Sequence, residues 1–276
     1  MTARAEHWPV SPRQYHAAPE LSHSRLEVFW DDPALYEGTF ITGKYPPKDS
    51  IGFDFGTLVH DSILQGGTQC VIVEIPRDVL TKSGAKDGKA WDQFRAEHAG
   101  TGKYLLKSKE IPPIRQAVDA VWRHPKARAL LEYPGGENEF AIRWTDDETC
   151  LPCRALLDRM TAGFIVDIKT AASVKPRKFA YDADSFGYYR QAAMYVDAAE
   201  ALTDEEKPFC FIAVKNTPPY SVETFLPDQD CIELGREENR EALRLFAECQ
   251  STGRWLRPDW GEFITLTAPR RTGART

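Results

Sequence analysis

No stretch of the 276 residues approaches the roughly 18 consecutive apolar residues that a membrane-spanning helix requires, so no such helix is expected. The opening MTARAEHWPVSPRQYHAAPE has no apolar segment of the kind that directs secretion, and a cytoplasmic location away from membranes is expected. Cysteine is sparse: six in all, of which only Cys150 and Cys153 form a CxxC pair. Without export these thiols read as reduced. With no second CxxC to complete a four-cysteine site, a dithiol in a β-turn is the simpler reading, and no iron–sulfur cluster is expected. Internal repeats and long low-complexity linkers are also missing. Nor is there a positive excess: 35 Lys and Arg against 41 Asp and Glu leave a net charge of −6, which argues against non-specific coating of nucleic acid. What is present is 42% hydrophobic residues, with 14 Phe, 10 Tyr and 7 Trp, enough for a sizeable core.

The charge is unevenly spread. Residues 82–109 carry seven Lys/Arg against three acids, residues 151–195 seven against four, and residues 196–250 five against thirteen. A local basic groove on an acidic chain permits an anionic ligand. Residues 1–21 read as an irregular lead-in and 22–265 as a single domain, with a mobile basic excursion at about 82–109. The residues from 266, ending APRRTGART, read as a disordered tail. Ser22–Tyr36 reads as a helix broken at Pro33, and 44–50 as a loop. Further helices are expected over Asp54–Leu64, Trp91–His98, Ile114–Glu132, Ser185–Leu202, with Asp184 or Ser185 as N-cap, and Asp230–Thr252. Strand-length segments cover Glu139–Trp144, Cys153–Met160, Phe164–Lys169, Phe209–Lys215 and Tyr220–Phe225. Helices, three strands, a helix, two strands and a helix describe an α/β domain whose mixed central sheet is flanked by helices.

The chemistry concentrates in LPCRALLDRMTAGFIVDIKTA, residues 151–171. Asp158 ends one strand, and Asp167 and Lys169 lie two apart on the next, so both point to one face. A tight turn would bring Asp158 beside Asp167. Adjacent carboxylates with an ammonium are costly unless a divalent cation sits between them, and oxygen-only ligation suits Mg²⁺, with Mn²⁺ able to substitute. Lys169 could orient or deprotonate an attacking water, or neutralise a phosphate, in metal-assisted phosphodiester hydrolysis. Taken alone, D-x(8)-D-x-K also fits ordinary charges on an amphipathic hairpin. Yet Asp167 interrupts the apolar Phe-Ile-Val-Asp-Ile, and a charge there needs a partner or a role. Gly56-Thr-Leu-Val-His60 places a histidine on a helix, and Tyr188, Gln191 and Tyr195 share one helix face. Either feature alone also fits plain packing.

Taken in order, GTLVH, RALLD, DIKT and YYRQAAMY resemble the PD-(D/E)xK nuclease superfamily. Within it the chain is most similar to the RecE-type exonuclease domain (exonuclease VIII), and more distantly to lambda exonuclease and RecB-type nuclease domains. The likeness runs from SHSRLEVFWDDPALY to AVKNTPPYSVETF, about residues 22 to 225. It implies a restriction-endonuclease-like core with Asp158, Asp167, Lys169 and Gln191 as catalytic residues. His60, Asp158 and Asp167 would hold a metal, with Glu139 as a loose further match for which Glu137 competes. Leu157 stands where the motif names proline. Tyr195 joins Gln191 in the QxxxY motif. Arg25, Arg154, Arg177 and Arg190, with Ser22 and Lys175, are candidate phosphate contacts on charge and proximity. The cysteines that relatives use for an iron–sulfur cluster, just after the QxxxY helix, have no counterpart here. The activity implied is a Mg²⁺-dependent exodeoxyribonuclease that digests linear duplex DNA 5′ to 3′ from its ends. It would serve phage-type recombination or repair, form a homo-oligomeric ring and hand a single strand to an annealing protein. An endonuclease, a single-strand-specific nuclease and a catalytically idle DNA-end-binding protein remain open alternatives.

Overall fold

The computed structural model describes residues 5–45, 54–257 and 261–263. Its strands are β1 (Glu6–His7), β2 (Ile72–Glu74), β3 (Tyr104–Leu106), β4 (Glu137–Thr145), β5 (Pro152–Met160), β6 (Ile165–Ala171), β7 (Phe209–Lys215) and β8 (Val222–Phe225). The helices are α1 (Pro12–Ala17), α2 (His23–Asp31), α3 (Pro33–Tyr36), α4 (Phe55–Leu64), α5 (Thr68–Val71), α6 (Lys89–Glu97), α7 (Ile111–Arg123), α8 (Pro125–Leu131), α9 (Pro176–Ser185), α10 (Tyr188–Thr203) and α11 (Gln229–Thr252). Among the described residues, six strands form one sheet in the order β1-β4-β5-β6-β7-β8, and β2 and β3 form a separate parallel pair. Within the large sheet only β6 and β7 run parallel. A parallel pair needs a crossover, which α9 and α10 supply. The mixed sheet flanked by helices is the restriction-endonuclease-like α/β class expected.

The side-chain alternation of β6 and β7 assigns the two faces. Ile165, Phe209, Phe211 and Ala213 pack with Leu26 and Phe29 of α2, Ala192 and Ala193 of α10, and Phe246 of α11. Val166, Ile168, Ile212 and Val214 pack with Leu58, Val59 and Ile63 of α4 and with Ile114, Val118 and Val121 of α7. Covered on both sides, these strands read as near-continuous apolar runs. Alanines at the buried face of α10 let that helix lie close to the sheet.

Several boundaries differ from expectation for local reasons. The lead-in is not wholly irregular: α1 carries a Ser11–Gln14 capping box, and β1 pairs with β4 at Glu6↔Arg143. Two residues of strand are too short to show a period. The helix expected over Ile114–Glu132 is two, because Pro125 starts α8 afresh with His124 as its N-cap. The helix expected from Ser185 starts instead at Tyr188, and the helix before it, α9, was not expected. Gly187, at φ +68°, ends α9 and opens α10, so neither Asp184 nor Ser185 is the cap. The basic excursion is held at its ends by the β2–β3 pairing, and Lys86 Nζ donates to the Leu105 carbonyl at 2.9 Å. The tail expected to be disordered, and most of the 44–50 loop, lie outside the described residues.

One ion-pair fork sets how the helices meet. Arg190 at the start of α10 donates from Nε and Nη2 to the two Glu27 oxygens of α2, both at 2.6 Å, and from Nη1 to Glu238 of α11 at 2.8 Å. Its guanidinium also lies 5.7 Å from the Trp30 ring. With its donors so engaged, Arg190 ties three helices together and is not the phosphate contact expected. Burial alone would raise the Glu27 carboxyl, but hydrogen bonds from Arg190 and His23, with their charges, hold it at about 2.

Because that value lies below the ordinary 4.5, the stabilisation is complete above about pH 4.5 and is lost as pH falls toward 2. Glu27→Gln should therefore be less stable than the parent at pH 6. The pH-dependent part of the difference, about 2–3 kcal/mol, should vanish by pH 2. Denaturant titrations at both pH values check this; a difference that does not change with pH would refute it.

Candidate active site

β5 and β6 pair only next to their connecting turn, at Arg159↔Val166 and Met160↔Ile165. Beyond that they part, and the Ile168 N–H, lacking a ladder partner, donates to Asp158 Oδ2 at 2.7 Å. Asp158 thus does not simply sit across from Asp167 as a regular hairpin would have it. Its carboxylate meets His60 of α4, whereas Asp167 and Lys169 meet Gln191 of α10, and all three reach the parting. On the far side of β5 the ladder with β4 skips the Glu139–Asp158 position. There Glu139 takes φ +53°, a left-handed conformation unusual for a side-chain-bearing residue and of a kind that collects at functional sites.

Each side chain is placed by an identifiable local device. Asp54 caps α4 by accepting from the Gly56 N–H at 3.0 Å. A Cβ at position 56 would lie 2.8 Å from Thr170 Oγ1, so glycine lets the start of α4 lie against β6 and bring His60 to the parting. His60 Nε2 is 3.0 Å from Asp158 Oδ1 and its Nδ1 is 3.0 Å from Asp61 Oδ1. Tyr104 of β3 donates to the other Asp61 oxygen at 2.8 Å. On the opposite face, Gln191 Nε2 donates to Asp167 Oδ1 at 2.9 Å while its Oε1 accepts from Lys169 Nζ at 2.7 Å. Lys169 Nζ lies 2.5 Å from Asp167 Oδ2 and 4.8 Å from the centre of the Tyr188 ring. Tyr195, buried, completes the stripe on α10.

The electrostatics separate the two aspartates. Burial raises Asp167 to about 6; the Asp158 charge adds to the rise, while Lys169 opposes it. Burial acts the same way on Asp158, but the charges and hydrogen bonds of His60, with Lys169 and the Ile168 amide, outweigh it and hold Asp158 below the usual range. Burial disfavours a charged His60, yet Asp158 and Asp61 raise it to about 10. Lys169, disfavoured by burial, is nevertheless held up by Asp167 and Asp158 and stays an ammonium. Glu139 is raised by burial and by Asp61.

The donor set fits a hard divalent cation at Asp158 and Asp167. Oxygen ligands from two adjoining carboxylates are what such ions take, and Asp167 Oδ2 is buried with the Lys169 ammonium as its neighbour at 2.5 Å. Among the described residues, however, no three His, Cys, Asp or Glu side chains converge as a ready-made metal cluster. His60 has both ring nitrogens engaged with carboxylates and is a protonated partner of Asp158 here; ligation would require it to lose that proton. Glu139 lines the same cleft, whereas Glu137 is exposed at the start of β4, 3.6 Å from His7.

The cleft measures about 840 Å³ and includes His60, Asp61, Tyr104, Glu139, Asp158, Lys169, Gln191 and Tyr195, with Ser22, His23 and Thr101–Lys103 also lining it. The remaining expected phosphate contacts do not line it. Arg154 is 2% exposed, stacked 4.4 Å from the Tyr15 ring and bonded to the Glu20 carbonyl. Arg25 donates to the Pro19 carbonyl and covers Phe40. Arg177 and Lys175 are exposed at the start of α9, away from the cleft. Strand alternation puts Arg154 on the face opposite Cys153 and Ala155, and nothing local announces the Tyr15 ring that buries it there. Asp61 and Tyr104 went unrecognised. Asp61 adjoins His60, a usable signal, but Tyr104 lies 43 residues on. Of the pair Cys150 and Cys153, the first is exposed and the second buried.

A mixed sheet parted around two carboxylates, a lysine and a bridging glutamine defines a PD-(D/E)xK-type domain. The family model described as a PDDEXK-like domain of unknown function (DUF3799) matches residues 33–260, and the chain belongs to that family. Its fold is similar to the crystal structure of a candidate exonuclease from Eubacterium rectale. The TM-score is 0.60 at 14% identity, over 95% of this chain and 96% of that one, a likeness of fold alone. An alkaline exonuclease from Laribacter hongkongensis is 18% identical over 64% of this chain and 88% of that one, but its TM-score of 0.28 is too low to bear on the comparison. No curated protein matches the chain in sequence.

Asp167 ionises in the folded chain only against its surroundings. Its folded value of about 6 exceeds the ordinary 3.8, so the folded state is fully stabilised below pH 3.8 and loses stability as pH rises to about 6. Asp167→Asn, which resembles the protonated acid, should in EDTA be more stable than the parent at pH 7, by up to about 3 kcal/mol, and no more stable below pH 4. Urea denaturation at the two pH values measures the difference; an unchanged or lower stability at pH 7 would contradict it.

Proposed function

We propose that the chain is a divalent-metal-dependent deoxyribonuclease acting on linear duplex DNA, with Mg²⁺ as its ion and 5′-to-3′ digestion from ends in recombination or repair as its role. The observation that carries this reading is the buried Asp158–Asp167–Lys169 cluster, braced by Gln191 and bordering the cleft through Asp158 and Lys169. The family membership and the exonuclease designation of the Eubacterium rectale relative support it.

Asp158 and Asp167 would hold the cation, with Glu139 and a deprotonated His60 as neighbours able to contribute. Bound there, the cation would polarise the phosphodiester and lower the pKa of the attacking water. The chain's own groups do the rest. Lys169, kept charged by its carboxylate neighbours, suits neutralising the charge that develops on phosphate oxygens better than it suits taking a proton. Gln191, bonded to both Asp167 and Lys169, fixes their separation before substrate arrives. Hydrolysis breaks the phosphorus–oxygen bond to one sugar, and the water's proton must leave as the new bond forms.

Purified protein should degrade linear duplex DNA in Mg²⁺ but not in EDTA, and should leave covalently closed circles intact. A label at the 5′ end should be released before one at the 3′ end. Cutting of closed circles would replace the exonuclease reading with an endonuclease. Failure to cut any DNA with Mg²⁺ or Mn²⁺, with binding to ends retained, would leave an idle binding protein.

Lys169→Ala should lower the cleavage rate about a thousandfold or more while DNA affinity changes little. Equal losses of rate and affinity would make Lys169 a simple phosphate contact.

A further inference from the structure

The net charge of the chain is −6, yet residues 82–109 alone sum to +4, seven bases less three acids; the remainder is therefore −10. This basic segment overlaps the insert closed off by β2 and β3, residues 75–103, which carries six Lys/Arg against four acids and does not stand apart from the site. Its last turn, Thr101-Gly102-Lys103, lines the cleft that holds Asp158 and Lys169. The next residue, Tyr104, is anchored to Asp61, the carboxylate beside His60. The insert's internal fixings use other groups: Lys86 donates to the Leu105 carbonyl and lies 5.7 Å from the Trp91 ring. Lys103 is exposed and, among the described residues, has no carboxylate partner. Gly100 and Gly102 take φ +78° and +71°, and a Cβ at either would meet nothing, so that side of the turn is uncovered.

The rest of the cleft poses a problem for a polyanion. Asp54, Asp61, Glu139 and Asp158 line it against the two inner cations His60 and Lys169, and an excess of carboxylates repels phosphates. A positive wall on one side offsets that repulsion and gives the strand a defined approach. We propose that the Thr101–Lys103 turn of the basic insert is a nucleic-acid backbone grip, its Lys103 ammonium holding a phosphate beyond the scissile one. The inference rests on the nuclease reading above and adds the surface by which the substrate is held. Tyr104 ties this grip to the His60 side of the site, so a strand seated on the turn lies in register with the catalytic cluster.

Equilibrium binding of labelled duplex DNA in EDTA, titrated with salt, tests the grip without cleavage. Lys103→Ala should weaken binding several-fold and lower the slope of log affinity against log salt by about one. Lys126→Ala, an equal charge change on an exposed lysine of α8 outside the cleft, should alter neither. In Mg²⁺, Lys103→Ala should raise the DNA concentration for half-maximal rate and leave the maximal rate unchanged, and Lys103→Arg should restore affinity. If Lys103→Ala matches the parent in affinity, salt slope and half-saturation while the parent cleaves DNA, the grip is wrong and the nuclease reading stands. If the parent neither binds nor cleaves DNA, both are overturned. Lys103 is exposed, so an unchanged melting temperature should accompany each outcome.

Discussion

β6 must be apolar on both faces to sit in the middle of the sheet, and it must also carry Asp167 and Lys169. Neither charge could be buried there alone, because an unpaired ion in a low-dielectric interior costs several kcal/mol. Pairing them removes part of that cost, and Gln191 removes more by bonding each with one end of a single amide. The solution makes strict demands elsewhere. Gln191 must be held within hydrogen-bond distance of β6, so α10 must be fixed in rotation as well as height. The buried alanines fix its height, and the fork from Arg190, one residue earlier, fixes its rotation against α2 and α11. What looks like a remote surface ion pair is thus a positioning device for the cluster.

The same cluster depends on a local failure of the sheet. Were β5 and β6 paired along their length, the Ile168 amide would bond to backbone rather than to Asp158, and no gap would open beside Asp167. Parting the strands leaves that amide to the Asp158 carboxylate, and the unpaired Glu139 position on β4 lies beside the gap. The two aspartates then meet inequivalent surroundings: one accepts an amide and faces an imidazolium, the other lies deeper against a lysine. One is held down and the other up, which lets two carboxylates coexist without a cation.

Much of this was legible in the chain itself. An aspartate inside Phe-Ile-Val-Asp-Ile violates strand patterning, and such violations tend to fall at functional sites. The i, i+3, i+7 stripe of Tyr188, Gln191 and Tyr195 needed only helical geometry to be placed on one face. What was not legible depended on tertiary contact. Arg154 and Arg190 were expected at phosphates because they are basic and close in sequence to the motif. In the fold one is buried on a tyrosine ring and the other is consumed by two glutamates. Tyr104 and Lys103 are separated from His60 by more than forty residues, and nothing local reveals that β2 and β3 pair to return the insert to the cleft. β1 is too short for any periodicity to announce it.

Charge segregation resolves an apparent conflict between composition and chemistry. An acidic chain with a carboxylate-lined cleft is a poor receptor for DNA if charge is considered only as a sum. Taken by position, the negative charge is concentrated where a divalent cation would bind and along α10 and α11, where arginines already pair it. A modest positive excess, six bases against four acids, lies in the 75–103 insert, whose Lys103 lines the cleft. Attraction along the wall and repulsion at the metal-free base mean that a phosphodiester could be drawn toward the cluster and yet be unable to settle there until the carboxylates are neutralised. On the proposed function, substrate seating would then follow cation loading.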